Sequence, residues 1–375
     1  MDFQPLTEFL DTVPTFGAPG VDCIVKQGHE TIYRHHAGWA DREASLPMTG
    51  KESFFLYSAS KPITCTAMLQ LYEKGKFLLT DPVADYIPEF RNMQVRNSET
   101  GQLSPAENCI TIADLMAMTS GIDYDLWADP IREVQTATGG KAPTMDVVRA
   151  IAAKPIWFEP GSNWQYGLSH DVLGGLVETI SGQKFGEYLK ENLFQPLGME
   201  NTGFRCTEEI QKHHMAQYRR DPESGVISRI PLENEFVLGS EYESGGAGLI
   251  STVEDYAKFA AAMANDGYTP EGHRILSRNT IDLMRANRLS GIQTKDFNWS
   301  FLGGYGYGLG VRTMIDPVRC GANSPVGEFG WDGAAGCYVM IDPSNHISLF
   351  YAQQMREGLG YYIHPRLRNI LYSCL

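Results

Sequence analysis

The chain has 375 residues, 43% of them hydrophobic and 20% charged, the balance of a globular enzyme of one large domain or two. Its 31 Lys and Arg stand against 45 Asp and Glu, a formal net charge of −14, which excludes the broad positive surface that nucleic acid or an anionic membrane requires. Seven cysteines (Cys23, Cys65, Cys109, Cys206, Cys320, Cys337 and Cys374) are scattered without a C-x-x-C pair, so neither a disulfide framework nor a zinc ribbon is expected.

No basic and apolar leader opens the sequence, and no run reaches 18 apolar residues. The expectation is a reduced, cytoplasmic protein without a membrane partner. Residues 6–13 predict a short helix, and the triplets 23–25 and 31–33 around Gln27-Gly28-His29-Glu30 predict a hairpin. Ile63, Ala67 and Leu71 recur every four residues, with Cys65, Met68, Leu69 and Tyr72 widening the stripe. They predict a buried helix with Pro62 in its first turn and Gly75 as its stop. Helical patterns follow at 112–118, 145–152, 171–180 and 185–192.

Gly245-Gly246-Ala247-Gly248 marks a sharp transition, after which Ser251 is expected to cap a helix running to Asn265, with Glu254 as its capping-box partner. Strands are predicted at 307–314, 337–341 and 347–351, and a helix at 366–375. Strands at both ends with helices between suggest a sheet domain of residues 1–80 and 245–375 and a helical insertion, 81–244, with the active site between them. The alternation is too irregular for a doubly wound parallel sheet.

The chemistry starts at Ser58-Ala59-Ser60-Lys61. Positions i and i+3 share a helix face, which sets the Lys61 amine beside the Ser58 hydroxyl near the positive end of a buried helix. A serine hydroxyl needs such a base to become a nucleophile. Roughly one or two S-x-x-K strings arise by chance in a chain this long. Ser181-Gly182-Gln183-Lys184 is a second one, and its glycine after an apolar run makes it a helix end.

Two further segments carry open alternatives. Tyr166, before the helix at Asp171, is either a phenol presented to Ser58 and Lys61 or a half-buried tyrosine bonded to backbone. Beside an ammonium its pKa would be pulled down and it would serve as a base. Trp331-Asp332-Gly333-Ala334-Ala335-Gly336 precedes a strand, and its small residues suit either an oxyanion-binding edge or a plain tight turn. His35-His36 and His213-His214 are adjacent rather than i, i+4 pairs and are expected at the surface, so no metal and no cofactor is expected. No G-x-S-x-G elbow occurs, since Gly167-Leu168-Ser169-His170 runs into Asp171.

Taken together, Ser58-Ala59-Ser60-Lys61, Tyr166-Gly167-Leu168 and Trp331-Asp332-Gly333 resemble, in order and spacing, the motifs of serine β-lactamase-like enzymes. That superfamily holds class C β-lactamases, D-alanyl-D-alanine peptidases and family VIII carboxylesterases. Met118-Thr119-Ser120-Gly121, Phe194-Gln195-Pro196-Leu197-Gly198-Met199 and Gly245-Gly246-Ala247-Gly248-Leu249-Ile250-Ser251-Thr252 are similar to its recurrent signatures, and the likeness spans residues 15–355. It implies an α+β fold, an antiparallel sheet flanked by helices with a mostly helical inserted domain. It implies Ser58 as acylated nucleophile, Lys61 as its proton-accepting partner and Tyr166 as a second base, with the backbone N–H groups of Ser58 and Ala334 as oxyanion hole.

The chain also departs from that pattern. Leu168 stands where β-lactamases carry a substrate-holding Asn, and Trp331 where they carry Lys or His. Leucine donates no hydrogen bond and tryptophan pairs with no carboxylate, so the site becomes more apolar. Asp332 adds a negative charge that disfavours anionic substrates. Leu168, Trp331, Asp332, Gly333 and Ala334 are thus the candidate substrate-binding residues. The expected function is hydrolysis of small to medium carboxylic esters, a small-molecule acyl substrate being the partner. The alternatives are acyl transfer to an alcohol or amine, or a β-lactamase or D-amino-acid peptidase with weak β-lactam hydrolysis. The oligomeric state stays open.

Overall fold

The computed structural model describes residues 1–205 and 207–375, so Cys206 lies outside the described residues. The chain opens with helix α1 (Gln4–Phe16), then strands β1 (Gly20–Gln27), β2 (Glu30–Asp41) and the short β3 (Leu46–Pro47). Helices α2 (Lys61–Glu73), α3 (Ser169–Ser181) and α4 (Val253–Ala264) follow. Strands β4 (Tyr305–Tyr307), β5 (Arg312–Met314), β6 (Phe329–Gly330), β7 (Tyr338–Asp342) and β8 (Ile347–Ala352) precede the closing helix α5 (Gly360–Cys374).

These strands form one sheet of order β4-β5-β6-β7-β8-β1-β2-β3. Each adjacent pair is antiparallel, which makes the fold the expected α+β architecture. Both ends of the chain meet at its centre, where Cys23 pairs with Tyr351 and Ile24 with Phe350. The period of two in β1 explains the two layers. Val21, Cys23 and Val25 pack with Leu6, Leu10 and Val13 of α1 and Ile363, Leu367 and Leu371 of α5. Ile24, with Phe350, faces the other way onto α4, where Tyr256 stacks on Phe350 at 4.1 Å.

Residues 81–244 carry mostly short helices, such as Ile112–Ala117, Asp129–Ala137 and Thr144–Ala152, besides α3. A strand of this stretch, Tyr218–Arg220, pairs in parallel with Met355–Arg356 and antiparallel with Ile227–Arg229. No helix among the described residues is long and apolar enough to cross a membrane.

Helix α2 is buried on every side over its first three turns, not along one stripe. Its threonines return their hydroxyls to backbone, Thr64 Oγ1 to Gly245 O at 2.6 Å and Thr66 Oγ1 to Pro62 O at 2.8 Å, so their burial strands no donor. It ends as expected at Gly75, whose φ is +66°. Gly75 N bonds Tyr72 O and Lys76 N bonds Leu71 O, the paired closure that a left-handed glycine permits.

Three expectations are corrected. The stretch 307–314 is two strands, because Gly310 takes φ +79° and Gly308 N closes on Val311 O at 2.8 Å, folding β4 back onto β5. The cap of α4 is Thr252, not Ser251. Ser251 still pairs with Phe54 in a two-stranded ladder, and Thr252 Oγ1 accepts from Asp255 N at 3.1 Å, while Glu254 turns to Arg34. Finally, α5 begins at Gly360, six residues earlier than expected. Pro365 lacks one amide, but burial of Ile363, Leu367 and Leu371 carries the helix through it.

Candidate active site

The strand Ser53–Phe55 pairs with Ile250–Thr252, and Leu56 N extends the ladder to Leu249 O at 2.9 Å. The chain then turns sharply at Tyr57, whose φ of +47° is strained for a side-chain-bearing residue and costs about 1–3 kcal/mol. The surroundings of its ring over-determine that conformation. Tyr57 OH donates to Gln217 Oε1 at 2.5 Å, and the ring packs between Phe55 and Phe236 at 5.9 and 5.7 Å. Ser58 follows, in a 3₁₀ turn (Tyr57–Ser60) that leads into α2 instead of in the α-helix proper.

Lys61 opens α2 with 0% exposure. Its Nζ lies 3.0 Å from Ser58 Oγ, 2.8 Å from Gly246 O and 3.5 Å from Tyr124 OH. It also sits 4.5 Å above the centre of the Tyr166 ring. Burial pushes its pKa down to about 7, with Asp171, Cys65 and Asp332 pulling the other way. The amine is therefore divided between its neutral and charged forms near neutrality.

Tyr166 is beside Ser58, and its OH accepts from Trp331 Nε1 at 2.9 Å. Its pKa moves opposite to the sequence expectation. Burial drives it well above the usual tyrosine range, outweighing the neighbouring Ser58 hydroxyl and the bond from Trp331. The phenol is walled by Tyr124, Trp164, Trp299 and Trp331, with ring centres 5.5–6.2 Å away, and a partly neutral lysine exerts little pull on it.

The third edge approaches because Gly333 has no side chain: a Cβ there would stand 2.2 Å from Leu56 O. Gly333 N bonds Cys337 O at 2.7 Å and Gly336 N bonds Gly333 O at 2.8 Å, a turn that leaves Ala334 exposed. Among the described residues, the backbone N–H groups of Ser58 and Ala334 have no hydrogen-bond partner. Burial raises the Asp332 carboxyl, and the charges of Arg312 and Lys61 act against that rise.

Two candidate substrate contacts are buried in the free protein. Leu168 is 1% exposed in the main core and Trp331 1% exposed in an aromatic cluster. Leu168 packs against the interior at the start of α3, and Trp331 donates to Tyr166. His214 also departs from expectation. It is half-buried, bonded to Ser53 Oγ at 2.8 Å and held down to about pKa 4 by burial. Ser181 ends α3 as expected, its Oγ on Val177 O at 2.6 Å and Gly182 at φ +75°.

Sequence reasoning reaches Tyr124 only as a loop aromatic suited to an apolar cleft, and it passes over Asp171. Tyr124 presents its hydroxyl to Lys61 at 3.5 Å. Asp171 lies buried beneath Lys61 and binds Tyr242, Ser244 and the Gly246 amide. The glycine run 245–248 was the available signal: bulk at Gly245 would strike His170 O at 2.3 Å, and at Gly246 Asp171 Oδ2 at 2.5 Å.

The model of the Beta-lactamase family matches residues 9–363. Esterase EstB of Burkholderia gladioli is 30% identical, covering 94% of this chain and 91% of its own. The acyltransferase calJ of Penicillium decumbens is 29% identical over 79% of this chain and 74% of its own. Among solved structures, EstCE1, described as a hydrolase with promiscuous acyltransferase activity, superposes with a TM-score of 0.80 at 24% identity, covering 97% of both chains.

Proposed function

The chain belongs to the Beta-lactamase family, as a serine hydrolase or acyltransferase of that fold, and on that footing we propose that it hydrolyses small to medium carboxylic esters through an acyl-enzyme on Ser58. The observation that carries this is the 3.0 Å contact between Ser58 Oγ and the buried Lys61 amine, whose pKa is about 7. A base with a pKa near the working pH is the most effective proton acceptor.

In this mechanism Ser58 Oγ attacks the ester carbonyl while Lys61 takes its proton. The tetrahedral oxyanion is held by the N–H groups of Ser58 and Ala334. Tyr166, a neutral phenol, gives its proton to the departing alkoxide and recovers one from Lys61, leaving the acyl group on Ser58. Water then attacks the acyl-enzyme, its proton returning by the same route to Ser58. The aromatic walls around Tyr166 and the absence of a donor from Leu168 favour uncharged esters over β-lactams.

Short-chain p-nitrophenyl esters should be turned over, and Ser58→Ala should remove that activity. Full activity in the alanine variant would refute the proposal. A second outcome, acyl transfer to an added alcohol or amine, uses the same acyl-enzyme. The 29% identity to an acyltransferase favours testing for it by product analysis with acceptor present.

A further inference from the structure

Asp171 stands in the first turn of α3, fully buried. Its Oδ1 accepts from Ser244 Oγ at 2.6 Å, Tyr242 OH at 2.7 Å and Gly246 N at 3.5 Å. Its Oδ2 has no hydrogen-bond partner, a costly state for a buried carboxylate oxygen. That oxygen faces Gly246, where a Cβ would lie 2.5 Å from Oδ2 and 3.5 Å from Lys61 Nζ. The space that a side chain at 246 would fill therefore touches both the carboxylate and the amine. The same glycine's carbonyl takes the amine at 2.8 Å, and Ser244 Oγ also accepts from Ala247 N at 3.0 Å.

We propose that Asp171 is a positioning residue for Lys61: it clamps the 244–247 turn whose carbonyl grips the lysine amine, and it places its negative charge across Gly246 from that amine. The proposal rests on the role given above to Lys61 as proton acceptor of Ser58. Both residues open helices, where the positive end of the helix dipole disfavours an ammonium and favours a carboxylate. The groups facing Lys61 are Ser58, Tyr124, Tyr166, Cys65 one turn along α2, His170 and Asp171 of α3, and Asp332 beyond β6. Asp171 exerts the largest pull among them toward a protonated amine, opposing the burial that drives the proton off. Burial raises the Asp171 carboxyl, while the donors Ser244, Tyr242 and Gly246 and the charge of Lys61 act against that rise.

The test compares wild type with Asp171→Asn, which keeps an acceptor for Tyr242 and Ser244 and removes the charge. Two readouts are taken: the pH profile of kcat/KM on p-nitrophenyl butyrate, and the NMR titration of Lys61 Cε in lysine-labelled protein, assigned with Lys61→Met. In the asparagine variant both the acid limb and the lysine midpoint should move to lower pH, by about one unit. An unchanged midpoint in the folded variant would overturn the proposal, leaving Asp171 a turn anchor only.

If Asp171→Asn does not fold, Ser244→Ala takes its place. Loosening the turn should lower kcat about tenfold with KM held, and an unchanged kcat overturns the clamp. The lysine titration needs no turnover. A protein without esterase activity would defeat the proposed function while still reporting whether Asp171 governs Lys61.

Discussion

Trp331 Nε1–H donates to the Tyr166 hydroxyl at 2.9 Å, so the residue that replaces a charged side chain in the third motif is spent on orienting a second site residue. That bond leaves the phenolic proton free to point at Ser58. Trp331→Phe keeps an aromatic ring in the cluster and removes the donor. Losing one such bond costs about 1–1.5 kcal/mol, so kcat on a nitrophenyl ester should fall about tenfold with KM little changed. Steady-state kinetics check this, and a change confined to KM would assign Trp331 to substrate binding.

Lys61→Met removes the proposed base while keeping the length of the side chain. General-base loss typically costs 10²–10⁴, so kcat/KM should drop by about that factor. Circular dichroism should show an intact fold, because an apolar chain suits a site with 0% exposure.

The same variant makes a thermodynamic prediction. The folded pKa of Lys61, about 7, lies below the value of 10.5 for a free lysine, so the unfolded chain binds more protons between those two values. The stability penalty of burying this amine is fully present below about pH 7 and fades as pH rises toward 10.5. Lys61→Met should therefore raise Tm most at and below neutrality and least near pH 10, as read by calorimetry across pH. An increment that grows with pH would contradict the lysine's burial as the cause.

Much of this site was legible because its parts are local. The spacing of Ser58 and Lys61, the apolar recurrence from Ile63 to Leu71, and the small residues after Trp331 each lie within one turn or one strand entrance. What escaped depends on chain segments far apart. Asp171 meets Lys61 only because α2 and α3 pack together with the Gly246 turn wedged between them. Leu168, two residues after Tyr166, is buried where Gly167 closely approaches Ile122 O (1.9 Å for an added Cβ). The Tyr166 pKa was misjudged in sign because proximity to lysine is visible in a motif and desolvation is not. Similarly, the β4–β5 hairpin was hidden by counting apolar residues through glycines that break the strand.

Gly333→Ala tests the third edge. An added Cβ would stand 2.2 Å from Leu56 O, backbone that cannot yield without moving Ser58 as well. The edge should retreat and misplace the Ala334 amide, and loss of one oxyanion donor costs about 10²–10³ in kcat. A variant with kcat within twofold of wild type would show that this edge takes no part in holding the oxyanion.

The most direct measurement is intact-mass analysis of the enzyme quenched during turnover of a nitrophenyl ester, followed by peptide mapping. The account predicts one acyl group per chain, located on Ser58, and none on Ser58→Ala. Acylation at another residue, or equal acylation and turnover by Ser58→Ala, would contradict it.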